Sequence, residues 1–206
     1  MSRPSILMVE SSAEVRERVA AVLVEYDCVL AETASEALRH VEVRAFDAYV
    51  LDCFMPDWSG PLLCREIRKQ DPHSVVILCT AAGESEESKA RAGASAYVET
   101  PIDTDVLALK LRTLLQFADA ESVRAAKQAD RAFRDELATR GVTETTNQDA
   151  TNALARLGAL APSIERTARS RAHKTFIDAG GTRARFERWW ASECQTLFSG
   201  KPVEIL

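Results

Sequence analysis

No apolar run in this chain of 206 residues approaches the roughly 20 that a membrane-crossing helix needs, so no membrane partner is expected. The start, Met1-Ser2-Arg3-Pro4-Ser5, passes straight into a strand pattern without a secretory hydrophobic region. Cysteine is sparse, and its five positions (Cys28, Cys53, Cys64, Cys79, Cys194) lack CxxC spacing, which argues against a cysteine-built metal site. An odd number lying mostly inside apolar periodic runs is expected to consist of reduced, buried thiols in a cytoplasmic protein. Glycine numbers eight, without a glycine-rich phosphate loop, and no motif joins a histidine to a serine or cysteine nucleophile. His40, His73 and His173 stand alone on helix or loop patterns, where solvated surface is the ordinary fate. No independent enzymatic activity is expected from such a chain.

What is present is the composition of a globular protein, 46% hydrophobic and 28% charged. The net charge of −5 is unevenly spread: residues 1–116 carry 12 Lys/Arg against 19 Asp/Glu, whereas residues 151–192 carry eight against three. An acidic first part and a locally basic tail point to two parts with different partners.

The first part alternates between strand and helix signals. Short apolar runs at 5–9, 28–31, 48–52, 75–80 and 96–99 read as strands. Between them, Ser12 can N-cap a helix facing inward with Val15, Val19, Val22 and Leu23. A second helix over 33–44 carries Ala37, Leu38 and Val41, and a third from about Ser59 carries Leu62, Leu63 and Ile67. A Glu-rich helix is expected before Gly93, and another begins near Asp103. Near-continuous apolar strands in five βα units imply a parallel sheet covered on both faces. The expected class is α/β, a doubly wound five-stranded parallel sheet in the order 2-1-3-4-5, followed by an all-α C-terminal extension. That order gathers Glu10, Ser11, Asp52, Thr80 and Thr100 at the carboxyl ends of the strands, where open sheets do their chemistry.

Residues 103–140 contain neither Pro nor Gly and show a loose apolar stripe: Leu107, Leu111, Leu114, Ala118, Ala125, Ala129, Ala132, Phe133 and Leu137. One helix, or two broken at Asp119-Ala120, would fit, and the later part suits a coiled-coil connector or a helix packed on a neighbour. The expected division is 1–118, a connector 119–140, a polar linker 141–150 and a small helical module 151–206. The module would hold a short helix near 152–157 and a second from Pro162 with Ile164, Ala168, Ala172 and Phe176 inward. A third would be N-capped by Thr182, with Phe186, Trp189, Trp190 and Leu197 inward. A module of this size is marginal alone, so a partner or a second copy of the chain is expected against it.

Four stretches, ILMVESSAEVR, YVLDCFMPDWSGPLLCREIR, VVILCTAAG and AGASAYVETP, in that order and spacing resemble the receiver domain of two-component response regulators. The resemblance covers 5–116 and implies a flavodoxin-like fold in which Asp52 accepts a phosphoryl group from a histidine kinase or phosphotransfer protein. It also implies Mg²⁺ at Glu10, Asp52 and the carbonyl of Phe54, with Thr80 and Tyr97 as the switch pair that reads the phosphoryl group. Two positions depart from the family. Ser11 stands where a second acid commonly binds the metal, and Thr100 stands before Pro101 where a lysine would pair with phosphoryl oxygens. Phosphatases of the haloacid dehalogenase class also use a strand-end aspartate, but they want a second one two residues later, where this chain has Phe54.

The reading is therefore an atypical response regulator with weak or absent phosphorylation at Asp52 and output through protein contacts of the helical extension. One alternative is a pseudo-receiver controlling an antiterminator-like nucleic-acid-binding module, its basic residues meeting phosphates and Trp189 or Trp190 stacking on bases. The other is a phosphorylation-independent scaffold. Homodimerisation through 104–140 is expected from the uninterrupted helical stretch.

Overall fold

The apolar runs pair, in the computed structural model, as a parallel sheet in the order β2-β1-β3-β4-β5. The structure describes residues 3–81, 92–142, 154, 160–194 and 198. The strands are β1 (Ser5–Val9), β2 (Asp27–Ala31), β3 (Ala48–Asp52), β4 (Val75–Ala81) and β5 (Ala96–Thr100), each ending within one residue of its expected limits. Helices α1 (Ala13–Val22), α2 (Ala34–Val43), α3 (Gly60–Gln70) and α4 (Thr104–Thr139) complete the described elements up to residue 142. The Glu-rich helix expected before Gly93 falls almost wholly outside the described residues.

Strand alternation sorts the apolar residues into two cores. Leu7, Val9, Tyr49, Leu51, Val76 and Leu78 pack with Ala37 and Val41 of α2 and with Leu63, Cys64 and Ile67 of α3. Ile6, Met8, Val50, Ile77 and Cys79 pack instead with Val19 of α1 and with Leu107 and Leu111 of α4. Because both faces are covered, the central strands read as continuous rather than alternating hydrophobic runs. All five cysteines are thiols, four of them buried.

Two inward positions differ from expectation. Val22, in the last turn of α1, is 41% exposed, while Arg16 is buried; its guanidinium reaches three oxygen acceptors, so its stem can line the core. On α3, Leu62 is 38% exposed and Cys64 is buried in its place. Gly60, Leu63, Cys64 and Ile67 follow the three- and four-residue spacing of one helical face, which excludes Leu62.

Two compact units divide the chain, Met1–Asp119 and Ala120–Leu206. Helix α4 is continuous through Asp119-Ala120, as suits a stretch without Pro or Gly. Its apolar stripe drifts: Leu115 is buried where Leu114 was expected, and Ala132 is only half-buried beside Phe133. A 3.6-residue turn does not keep a strict four-residue repeat on one face.

In the second unit, α5 (Ala161–Asp178) buries Ile164, Ala168, Ala172 and Phe176 as expected. Helix α6 (Arg183–Trp189) is capped by Thr182, whose hydroxyl accepts from the Arg185 amide at 3.4 Å, and continues as a π-helical turn over Trp190–Cys194. Phe133, Phe176, Phe186 and Trp190 are buried together, with Trp189 packed against them. The turn between α5 and α6 demands glycine twice. Gly180 takes φ +91°, and a Cβ on Gly181 would lie 2.0 Å from Cε1 of the Phe176 ring. Of the expected helix near 152–157 only Leu154 is described, helical and buried. Leu197, and all of the linker except Gly141 and Val142, lie outside the described residues.

Candidate functional site

Asp52 ends β3, in register with Cys79 of β4, and the Cys53 amide donates to the Cys79 carbonyl at 2.9 Å. The carboxylate is thus presented at the sheet's carboxyl edge by a strand paired on both sides. The loop behind it folds back closely. The Gly60 amide donates to the Cys53 carbonyl at 3.2 Å, and a Cβ at Gly60 would lie 2.3 Å from the Asp52 carbonyl oxygen. Glycine is needed there by space, since the obstacle is backbone and cannot swing aside.

Burial raises the Asp52 carboxyl above its ordinary range. The Phe54 and Cys53 backbone amides pull it down, while the nearby charge of Glu10 pushes it up. Glu10 is itself buried, with one carboxylate oxygen accepting from the Ser12 amide at 2.9 Å. Glu10 therefore lies near enough for its charge to oppose that of Asp52, an arrangement a bound cation would relieve. Magnesium commonly takes one or two protein carboxylates and fills its octahedron with water and phosphate oxygens. Glu10 and Asp52 meet that minimum, although no cluster of three or more ligating acid, His or Cys side chains exists among the described residues.

The remaining expected residues are distributed around this pair. Ser11 is exposed and lines an open cavity of about 600 Å³ with Cys53, Phe54, Met55 and residues 56–59. The Phe54 side chain is 72% exposed. Thr80 is buried in β4, and Tyr97 is half-buried on β5 against the core that contains Val76 and Leu78. Strand alternation puts Thr80 on the same face as Val76 and Leu78, hence on the face that carries Tyr97. Thr100 is half-buried, and its hydroxyl donates to the Thr80 carbonyl at 3.3 Å. The bond ties β5 to β4 but adds no positive charge to the crevice. The Thr100-Pro101 peptide is cis.

Two residues that sequence reasoning did not single out build the surroundings. Arg16 donates to the carbonyls of Glu10 (2.6 Å) and Ser11 (2.9 Å) and to the Glu32 carboxylate (2.6 Å). This cation fixes the backbone after β1 and is committed to doing so. Asp57 accepts from the amides of Ala34 (3.1 Å) and Ser35 (3.0 Å) and from the Ser35 hydroxyl (2.8 Å). It joins the loop after β3 to the N-terminus of α2, where a negative charge is favourable. Nothing local in the sequence marks either residue, because both partners are remote in the chain or are backbone atoms.

The Ser35 amide and hydroxyl and the Ala34 amide hold Asp57 below the usual carboxylate range. A depressed folded value contributes stability that is complete above the unfolded value of about 3.9 and is lost as pH falls through the folded one. Asp57→Ala is expected to cost about 1 kcal/mol or less at neutral pH, since the group is exposed. Wild type and variant should converge in urea midpoint as pH drops below about 4. A constant difference across that range would contradict the clamp.

The geometry can be set beside known proteins. The family whose sequence pattern fits is the response regulator receiver domain, over residues 6–112. Response regulator MprA of Mycobacterium ulcerans is 32% identical over 134 residues, covering 63% of this chain and 58% of its own. The phosphate regulon transcriptional regulatory protein PhoB of Pseudomonas aeruginosa is 32% identical over 120 residues, covering 54% and 52%. The chain thus spans little more than half the length of these relatives. Among solved structures, the signal receiver domain of an HD domain-containing protein from Pseudomonas fluorescens matches with a TM-score of 0.54 at 28% identity, covering 60% of this chain and 95% of that one. A CheY-like receiver domain protein from Methanospirillum hungatei matches with a TM-score of 0.52 at 27% identity, covering 56% and 95%.

Proposed function

Because this chain belongs to the response regulator receiver family, we propose that it serves two-component signalling as an atypical member whose Asp52 accepts a phosphoryl group slowly. The observation that carries the reading is the Asp52–Glu10 pair. Two acids meet at the carboxyl edge of the sheet, with Ser11 in place of a third acid and Thr100 in place of a cation. Phosphoryl transfer is governed by positioning and charge neutralisation. The nucleophile is well positioned, while neutralisation is short of one metal ligand and one positive charge.

In this reading Glu10, Asp52 and the Phe54 carbonyl would hold Mg²⁺, which when bound offsets the charge of the incoming phosphoryl group. Thr80 and Tyr97 would report its arrival, as their shared face supports. Residues 1–118 are the receiver, 119–140 the connector, 141–150 the linker and 151–206 the output module, which has no catalytic activity of its own. A histidine kinase or phosphotransfer protein supplies the phosphoryl group, and the extension contacts a downstream protein. Exposed Leu109, Phe117 and Val123 on α4 support self-association along that helix. The five thiols suit a reducing cytoplasm, and among the described residues no helix is long and apolar enough to cross a membrane.

Incubating the full chain with Mg²⁺ and acetyl phosphate should yield a hydroxylamine-labile adduct on Asp52 that Asp52→Ala abolishes. An adduct that survives Asp52→Ala would reject this reading. Failure to form one with acetyl phosphate or a kinase would favour a phosphorylation-independent scaffold.

A further inference from the structure

The basic excess of the second unit is not spread as a stripe. Arg171 is paired with Glu136 at 2.9 Å and Lys174 with Asp178 at 2.6 Å. Arg185 is buried, its guanidinium 3.5 Å from the Thr182 hydroxyl. Three other arginines converge on one groove of about 310 Å³ between α5 and α6. Arg166 and Arg169 come from one face of α5, and Arg183 from the first turn of α6. Ser170 adds a hydroxyl to the wall, and Phe186 forms an apolar part of it.

Electrostatics in this groove favour an anion. Glu187 is the one acid in the wall and is paired with Arg169, so with His173 neutral the lining side chains carry a net charge of +2. The Arg169 guanidinium, 5.8 Å above the Trp190 ring, still has donors to offer, because a guanidinium carries five. A planar fork of donors matches phosphate oxygens well. The volume lies at the small end of the range for small-molecule pockets, about 300–1,000 Å³. A nucleic-acid surface would need an extended basic track with accessible aromatic faces. Here Trp190 is buried and Trp189 is half-buried against Phe176 and Phe186, so both tryptophans serve the core of the unit.

We propose that this groove is a binding site for a small phosphomonoester dianion, held by Arg166, Arg169 and Arg183 with the Ser170 hydroxyl as a neutral donor. The site is independent of any role of Asp52. His173 reports on it. The ring is half-buried and edge-on to Phe186 with centroids 4.7 Å apart. Burial first, then the charges of Arg183 and Arg169, lower its proton affinity against the opposing pull of Glu187. These groups and Arg166 are the charges lining the groove it shares, so a bound dianion must raise the His173 titration midpoint.

The test is an NMR titration of the histidine rings in the full chain, with inorganic phosphate and phenyl phosphate as probes and His40 and His73 as internal controls. Saturable shifts confined to His173 are expected, with its midpoint moved upward in the bound state. Arg166→Gln, at an exposed position that should leave folding intact, and Arg183→Gln should each weaken binding about tenfold or more, the loss of one charge-assisted contact. If phosphate alone binds as tightly as phenyl phosphate, the site recognises the phosphate group itself; tighter phenyl phosphate assigns a share to Phe186. No His173 shift with either probe at concentrations up to about 10 mM, which leaves only binding weaker than that Kd, would overturn the proposal. Undiminished binding by both variants, or shifts produced only by a single-stranded oligoribonucleotide, would also overturn it.

Discussion

Ser11→Asp combined with Thr100→Lys is expected to raise the rate of phosphoryl transfer from acetyl phosphate to Asp52 by about a hundredfold. Each change restores one charge that the receiver family normally places around the nucleophile. A charge-assisted contact is worth about 1.5–3 kcal/mol. Ser11 is exposed and Thr100 half-buried, so solvent screening favours the low end. Two such contacts give about 3 kcal/mol, or about a hundredfold in rate. The single variants should each give about tenfold, and Ser11→Asp should depend more steeply on Mg²⁺, because it adds a ligand rather than a cation. Quench-and-mass kinetics measure all four proteins. An unchanged rate in the double variant would mean that the missing charges are not what limits the site. Label persisting after Asp52→Ala in that background would place the chemistry elsewhere.

Phe133→Ala should be the most damaging core substitution in the second unit. Phe133 is 1% exposed, edge-on to Trp190 with centroids 5.4 Å apart and to Phe198 at 6.2 Å. Its neighbours in the same cluster include Ala125, Ala129, Ala168 and Ala172, whose short side chains cannot move into the space. Removal of a buried Phe costs about 3–5 kcal/mol when the cavity does not collapse. That is a large share of the 5–15 kcal/mol typical of a domain. Hydrogen exchange should then accelerate in α5 and α6, while β3 and β4, whose buried residues form other clusters, keep their protection. Equal loss in both units, or no loss in α5 and α6, would contradict a separate core around Phe133.

The sheet was legible because its strands are buried on both faces, which leaves short apolar runs with sharp polar edges. The parallel order then follows from handedness and length, and that order alone brings Glu10, Ser11, Asp52, Thr80 and Thr100 to one edge. Inward faces of helices were less legible. Arg16 reads as a polar-face residue, yet it is buried because backbone carbonyls and Glu32 satisfy its guanidinium, and such acceptors leave no trace in a periodic pattern. Leu114 and Leu115 are adjacent, and only the pitch of the helix decides which goes inside. The Asp57 clamp joins loop to helix across more than twenty residues, so no local motif carries it. His173, expected at the solvated surface, is half-buried because Phe186 arrives from another helix. The basic residues after 151 could be counted but not sorted. Arg171 and Lys174 pair with Glu136 and Asp178, Arg185 is buried, and three of the others line one groove.

In the function proposed above, Asp52 is a phosphoacceptor made slow by its surroundings. The decisive measurement is the rate of site-resolved adduct formation on Asp52 in the wild-type chain, with acetyl phosphate, as Mg²⁺ is raised from zero to saturation. A slow rate is expected that climbs with Mg²⁺, saturates only at high concentration and vanishes in Asp52→Ala. A rate independent of Mg²⁺, or no adduct on Asp52 at any concentration, would contradict it.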